Sequence, residues 1–169
     1  DIIVCLDESA STEGENAAWG KALALAVQDN CAHEGRKFAL IHFSGAGQVR
    51  TDFFLPGQYT ADDLLSAAEH FFDGGTDFEP PIREALRLIN EEAFENADIL
   101  FITDGQCSIS DELAEQLQDA IQNARCSVVG LLLDADSPGM EFSMEKFCER
   151  MLQLDSLTKS QVEYVLFEC

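Results

Sequence analysis

This chain of 169 residues is short of positive charge. It has 10 Lys and Arg against 32 Asp and Glu, a formal net charge of −22. Such a surface repels phosphate backbones and anionic lipid, which argues against nucleic-acid binding and electrostatic membrane association. It favours cations and basic protein surfaces, although much of this charge need do no more than keep the chain soluble. No run of apolar residues reaches the roughly 18 needed to read as a membrane span. There is no C-x-x-C pair among the six cysteines (5, 31, 107, 126, 148 and 169), so neither a zinc knuckle nor a dithiol motif is indicated. A domain of this size needs no disulfides, and Cys5 and Cys126 lie in apolar runs where a free thiol acts as a small hydrophobe. Reduced thiols and a cytoplasmic location are the expectation. Also missing are a G-x-S-x-G elbow, a P-loop and a D-x-D after the first strand, which removes the usual hydrolase and nucleotide-binding signatures. A phosphohydrolase using Asp7 as nucleophile would need a helper acid, and Glu8 is out of register for that role. No enzyme is expected.

What is present reads as one globular domain. Apolar residues make up 46% of the chain and include 12 Phe. No linker, repeat or low-complexity stretch divides it. Because Asp1 stands directly before a core strand with no initiator Met, we expect residues 1–169 to be a single domain cut from a longer chain.

Strands and helices alternate. Ile2-Ile3-Val4-Cys5-Leu6 is an uncharged run suited to a strand buried on both faces. Residues 15–32 follow as a helix whose apolar stripe would be Trp19, Leu23, Ala26 and Val27, with Gly35 placed to end it. Residues 37–43 and 49–55 are strands joined through Ser44-Gly45-Ala46-Gly47. That link is too short for a parallel crossover, so these two pair antiparallel. Thr60 and Asp63 have capping-box spacing for a helix to about residue 71. Pro80 and Pro81 suit the first turn of the next helix, striped by Ile82, Ala85, Leu86 and Ile89.

Residues 97–103 form a fourth strand, 111–123 a helix and 126–133 a fifth strand. The tail holds a break at Ser137-Pro138-Gly139 and a short helix carrying Met144, Phe147, Cys148 and Met151. An edge strand at 152–154 and a last helix at 160–167 complete it. This order specifies an α/β fold: a doubly wound, mainly parallel, six-stranded sheet with one antiparallel strand and helices on both faces.

Three polar loops then fall at one end. Asp7-Glu8-Ser9-Ala10-Ser11 follows the first strand, Thr103-Asp104-Gly105 closes the fourth, and Gly74-Gly75-Thr76 precedes the helix leading into that strand. In such sheets ligands bind beyond the carboxyl ends of the strands, at a topological switch point. Three hydroxyls and two carboxylates converging there suit a hard, oxygen-loving cation such as Mg²⁺, with Mn²⁺ or Ca²⁺ as alternatives. They do not suit zinc or copper.

Asp7-x-Ser9-x-Ser11, Thr76 and Thr103-Asp104-Gly105 together resemble the metal-ion-dependent adhesion site of von Willebrand factor A (VWA) domains, and the likeness covers nearly the whole chain. The resemblance implies that Ser9, Ser11 and Thr76 reach the metal directly, and that Asp7 and Asp104 act at close range or through water. It also implies that an Asp or Glu of a protein partner completes the coordination. The chain departs from the usual pattern at Ala10, where Gly is common, and at Thr12, where Met often stands. A positive φ at Ala10 would cost about 1 kcal/mol, and none is expected.

The wording around Ile3 to Asp7, Gly74 to Phe78 and Ala97 to Asp104 is most similar to the bacterial ViaA-type group. That similarity implies a partner among the MoxR-class AAA+ ATPases, in complex assembly or metal-cofactor maturation. An extracellular adhesion domain is the alternative, which three disulfides would favour. The remaining candidates have plainer readings. His33, His42 and His70 are expected to be structural or surface groups. Glu8 and Asp77 would only deepen the negative potential. Trp19, Phe53-Phe54 and Phe71-Phe72 are expected in the core.

Overall fold

A computed structural model describes residues 1–91, 94, 96–105, 107–124, 127–133, 144–153 and 165. Its strands are β1 (Ile2–Asp7), β2 (Phe38–Phe43), β3 (Val49–Phe54), β4 (Asp98–Thr103), β5 (Val128–Leu132) and β6 (Arg150–Gln153). The helices are α1 (Glu15–Glu34), α2 (Ala61–Glu69), α3 (Glu79–Asn90) and α4 (Asp111–Ala124). The expected break at 137–139 lies outside the described residues, as do Cys126, Cys169 and all of the expected last helix except residue 165.

The six strands run in the order β3-β2-β1-β4-β5-β6, all parallel except β3, which pairs antiparallel with β2. The fold expectation holds in full. β1 has β2 on one side and β4 on the other, so the chain reverses its winding direction there and the end of β1 is the switch point.

Alternation along the strands sends side chains to two cores. Ile3, Cys5, Ala39, Ile41, Phe43, Ile99 and Phe101 pack with α3 and α4. Ile2, Val4, Leu6, Phe38, Leu40, Leu100 and Ile102 pack beneath α1. In the first core the rings of Phe78 and Phe147 meet that of Phe101 edge-on, with centroids 5.0 and 5.4 Å away, the arrangement that aromatic quadrupoles favour.

α1 meets the sheet through a stripe that is shifted from the one expected, keeping Val27 and the partly buried Leu23 but not Trp19 or Ala26. Gly20, Ala24, Val27, Gln28 and Cys31 are its buried residues, whereas Trp19 is 52% exposed. The reason is proximity. A Cβ on Gly20 would stand 2.9 Å from Leu6 Cδ1, so the helix lies too close to the sheet for a large side chain at the contact, and the bulky indole turns outward. Gly35 ends α1 at φ 69°, with the N–H of Arg36 returning to the carbonyl of Cys31 at 2.8 Å.

Three further expectations are corrected. Phe53 is 44% exposed, because β3 is an edge strand with one face open, while Phe54 is buried as expected. Phe71 and Phe72 are half-buried. Met151 belongs to β6 and not to a helix.

Candidate metal centre

β1 runs without a break into the first polar loop. Asp7, its last residue, turns back so that Oδ1 accepts the N–H of Ser9 at 2.9 Å, and Oδ2 accepts the hydroxyl of Thr103 at the end of β4. That hydroxyl in turn accepts the N–H of Gly105 at 2.9 Å. Residues 10–12 form one 3-10 turn, buttressed by the buried Thr12, whose hydroxyl donates to the Ser9 carbonyl at 2.8 Å. Ala10 is not among the residues of positive φ, so the departure from Gly carries no strain, as expected.

The other loops close onto this one. Ser9 and Gly74 form a parallel bridge, and the N–H of Ala10 donates to the Gly74 carbonyl at 2.8 Å. Ser9 Oγ is 3.1 Å from Ser11 Oγ, and the Ser11 hydroxyl donates to Asp104 Oδ1 at 2.9 Å. Asp104 Oδ2 accepts from Asn16 Nδ2 at 3.3 Å. A Cβ placed on Gly105 would stand 3.3 Å from Thr76 Oγ1 and 3.5 Å from Asp7 Oδ2. The Thr76 hydroxyl and the Asp7 carboxylate therefore border the same small space above Gly105. The five expected residues thus come together from three loops.

Asp7, Ser9 and Asp104 are buried, Thr76 is half-buried and Ser11 is exposed, so the cluster opens to solvent at one side. Among the described residues no cationic side chain pairs with Asp7 or Asp104. Burial holds the Asp7 carboxyl above its ordinary range, and the Asp104 charge adds to this, against the opposing hydrogen bonds from Thr103 and Ser9. Two carboxylates with three hydroxyls and no imidazole make a donor set that fits a hard divalent ion.

Sequence reasoning missed what Glu8 does. Its side chain turns away from the rim and is buried. Oε1 lies 2.7 Å from His42 Nδ1, and Oε2 lies 2.7 Å from His70 Nδ1. On its far side His42 Nε2 lies 3.1 Å from Asp52 Oδ2. Burial alone would lower the His42 pKa, but hydrogen bonds to Asp52 and Glu8 outweigh it and raise it. A histidine inside the apolar run of β2 was the available signal, since a buried imidazole needs partners. Asp77 does more than add negative potential. Its Oδ1 accepts the Glu79 N–H at 3.1 Å and so helps to start α3.

Residues 2–106, which contain all five rim residues, match the von Willebrand factor type A domain family. The chain belongs to that family. This VWA domain is 34% identical to an uncharacterised protein of Methanocaldococcus jannaschii over 134 residues, 79% of this chain and 33% of that protein. It is 28% identical to the regulatory protein ViaA of Edwardsiella ictaluri over 124 residues, 71% of this chain and 24% of that protein. The chain therefore spans about a third or less of these relatives' length. The SpRpn10 VWA domain superposes with a TM-score of 0.69 at 10% identity, covering 99% of this chain and 94% of that one. A von Willebrand factor type A protein of Catenulispora acidiphila gives 0.70 at 16%, covering 97% and 41%. At these identities the structural likeness is one of fold.

Proposed function

We propose that this VWA domain is a non-enzymatic, metal-dependent protein-interaction module. A divalent cation, Mg²⁺ foremost and Mn²⁺ or Ca²⁺ as substitutes, is held by Ser9, Ser11 and Thr76. Asp7 and Asp104 stand at close range or behind water. An Asp or Glu of a partner protein supplies the last ligand. The observation that carries this reading is the pair of carboxylates, Asp7 and Asp104, gathered with three hydroxyls and paired with no cationic side chain among the described residues. Hydroxyl ligands are neutral and leave an ion electron-poor, so a further anionic oxygen is welcome. Thr103 and the Ser9 backbone fix the orientation of Asp7, while Asn16 and Ser11 fix that of Asp104.

The kinship with the regulatory protein ViaA supports a regulatory role, which we place in the cytoplasm. The partner we propose is a MoxR-class AAA+ ATPase, in complex assembly or cofactor maturation. Among the described residues Cys5, Cys31, Cys107 and Cys148 are unpaired, which suits such a compartment. The test is binding to that ATPase by calorimetry with Mg²⁺, with EDTA, and with Asp104→Ala. Binding should need Mg²⁺ and fall at least tenfold in the variant. Equal affinity in all three conditions would refute the reading.

A further inference from the structure

Behind the oxygen rim lies a second cluster of different chemistry. Glu8 comes from the loop after β1, His42 from β2, and His70 from the residue after α2. One ligand atom from each can be chosen so that all three lie within 4.8 Å of one another. We propose that Glu8, His42 and His70 form a second metal site, which takes a borderline transition ion of the zinc class.

The donor set is the first argument. Two imidazoles and a carboxylate suit zinc, and they leave a fourth position for water. The rim, with oxygen donors alone, suits magnesium. The two sites therefore select different ions.

The surroundings are the second argument. A histidine that binds metal usually gives its other ring N–H to a carboxylate, which sets the tautomer. Asp52 is placed for this, 3.1 Å from His42 Nε2, and is itself held by Arg50 at 3.0 Å. With His42 Nε2–H donating to Asp52, Nδ1 is the ring nitrogen that faces Glu8 and becomes the ligand once its proton leaves. Lys21 Nζ donates to the carbonyls of Ala68 and His70, which steadies the backbone that carries the second imidazole. It also stands 3.7 Å from Glu8 Oε1.

Geometry and access agree. Donors about 2.0–2.1 Å from one tetrahedral ion stand roughly 3.3 Å apart. Each Glu8 oxygen makes one of the 2.7 Å contacts, so the carboxylate would turn to offer a single oxygen, and the three donors, all within 4.8 Å of one another, would adjust by side-chain rotation of on the order of 1 Å. His42 and Glu8 are buried, while the side chain of His70 is 18% exposed and provides the way in. Binding releases the His42 Nδ1 proton to solvent, and His70 moves its proton to Nε2. The ion would then join the first polar loop, β2 and the segment leading to Thr76 at one point.

The proposal is tested on the metal-free protein with Zn²⁺ and with Co²⁺ as a spectroscopic probe, in Mg²⁺ excess sufficient to fill the rim. One equivalent should bind, the Co²⁺ form should show a visible ligand-field band, and X-ray absorption should find imidazole nitrogen and oxygen but no sulfur. His70→Asn, at the accessible end of the cluster, should remain folded by circular dichroism and lose at least tenfold in affinity. Glu8→Gln provides a second check. Asp104→Ala should bind Zn²⁺ unchanged, so failure here and failure of the rim are told apart. No stoichiometric binding in Mg²⁺, sulfur ligation, or equal affinity in folded His70→Asn would each overturn the proposal and leave the cluster a hydrogen-bonded brace.

Discussion

At the residue scale, the rim carries a cost of burial that the proposed metal would offset. Asp7 is buried, and burial disfavours its charged form. Without metal the domain carries that penalty, and Asp7→Asn removes it. We expect the variant's metal-free Tm to rise, on the order of 1 kcal/mol in stability, while the Mg²⁺-induced shift in Tm disappears. Scanning calorimetry with and without Mg²⁺ reads both, and a lower Tm together with a retained shift would contradict the account. Gly105 gives a complementary case. Its missing side chain leaves the space between Thr76 and Asp7 open, and a methyl there would meet Thr76 Cγ2 at 3.2 Å. Gly105→Ala should weaken Mg²⁺ binding roughly tenfold, about 1.4 kcal/mol, with little change in the metal-free Tm. The five rim residues were reached from three polar loops placed at one end of the sheet together with the VWA resemblance, the spacing of Asp7-x-Ser9-x-Ser11 alone being a weak signal. Glu8 was not, because spacing alone does not say which face of a loop a side chain takes.

At the scale of single elements, α1 shows where pattern reading stops. Its sequence carries small apolar residues on several faces, so periodicity alone does not fix which stripe is buried. Contact with β1 picked the one containing Gly20, since only a residue without a side chain allows the helix to sit that close. Gly20→Val should therefore cost about 1–3 kcal/mol through overpacking. Trp19→Ser should fall within about 0.5 kcal/mol of the parent. Urea unfolding of the two variants discriminates the observed stripe from the expected one, which would give the reverse order. α2 was legible at its start, where Thr60 and Asp63 form the capping box. Its end came earlier than expected. His70 leaves the helix with extended backbone to meet Glu8, and Lys21 takes the freed carbonyls. A partner distant in sequence decided that boundary.

At the scale of the whole molecule, a net charge of −22 works against compactness. NaCl should raise the Tm of the metal-free protein by screening this repulsion. Mg²⁺ at equal ionic strength should raise it further in the parent protein but not in Asp104→Ala. Thermal melts across a salt series make the comparison, and an equal response of both proteins would mean that Mg²⁺ acts as screening charge alone.

The sheet order was reached from local signals: a short link that forces β2 and β3 antiparallel, and crossover helices that force the other strands parallel. These work because turn length and strand burial are encoded within a few residues of each element. The convergence of Asp7, Ser9, Ser11, Thr76 and Asp104 followed from that topology, because the ends of β1 and β4 are adjacent at the switch point. What only the tertiary structure decided is the environment behind the rim. Glu8, His42, His70, Asp52 and Lys21 come from five separate segments. Their meeting depends on side-chain direction and on how closely α1 and α2 approach the sheet, which are properties of packing rather than of any local pattern.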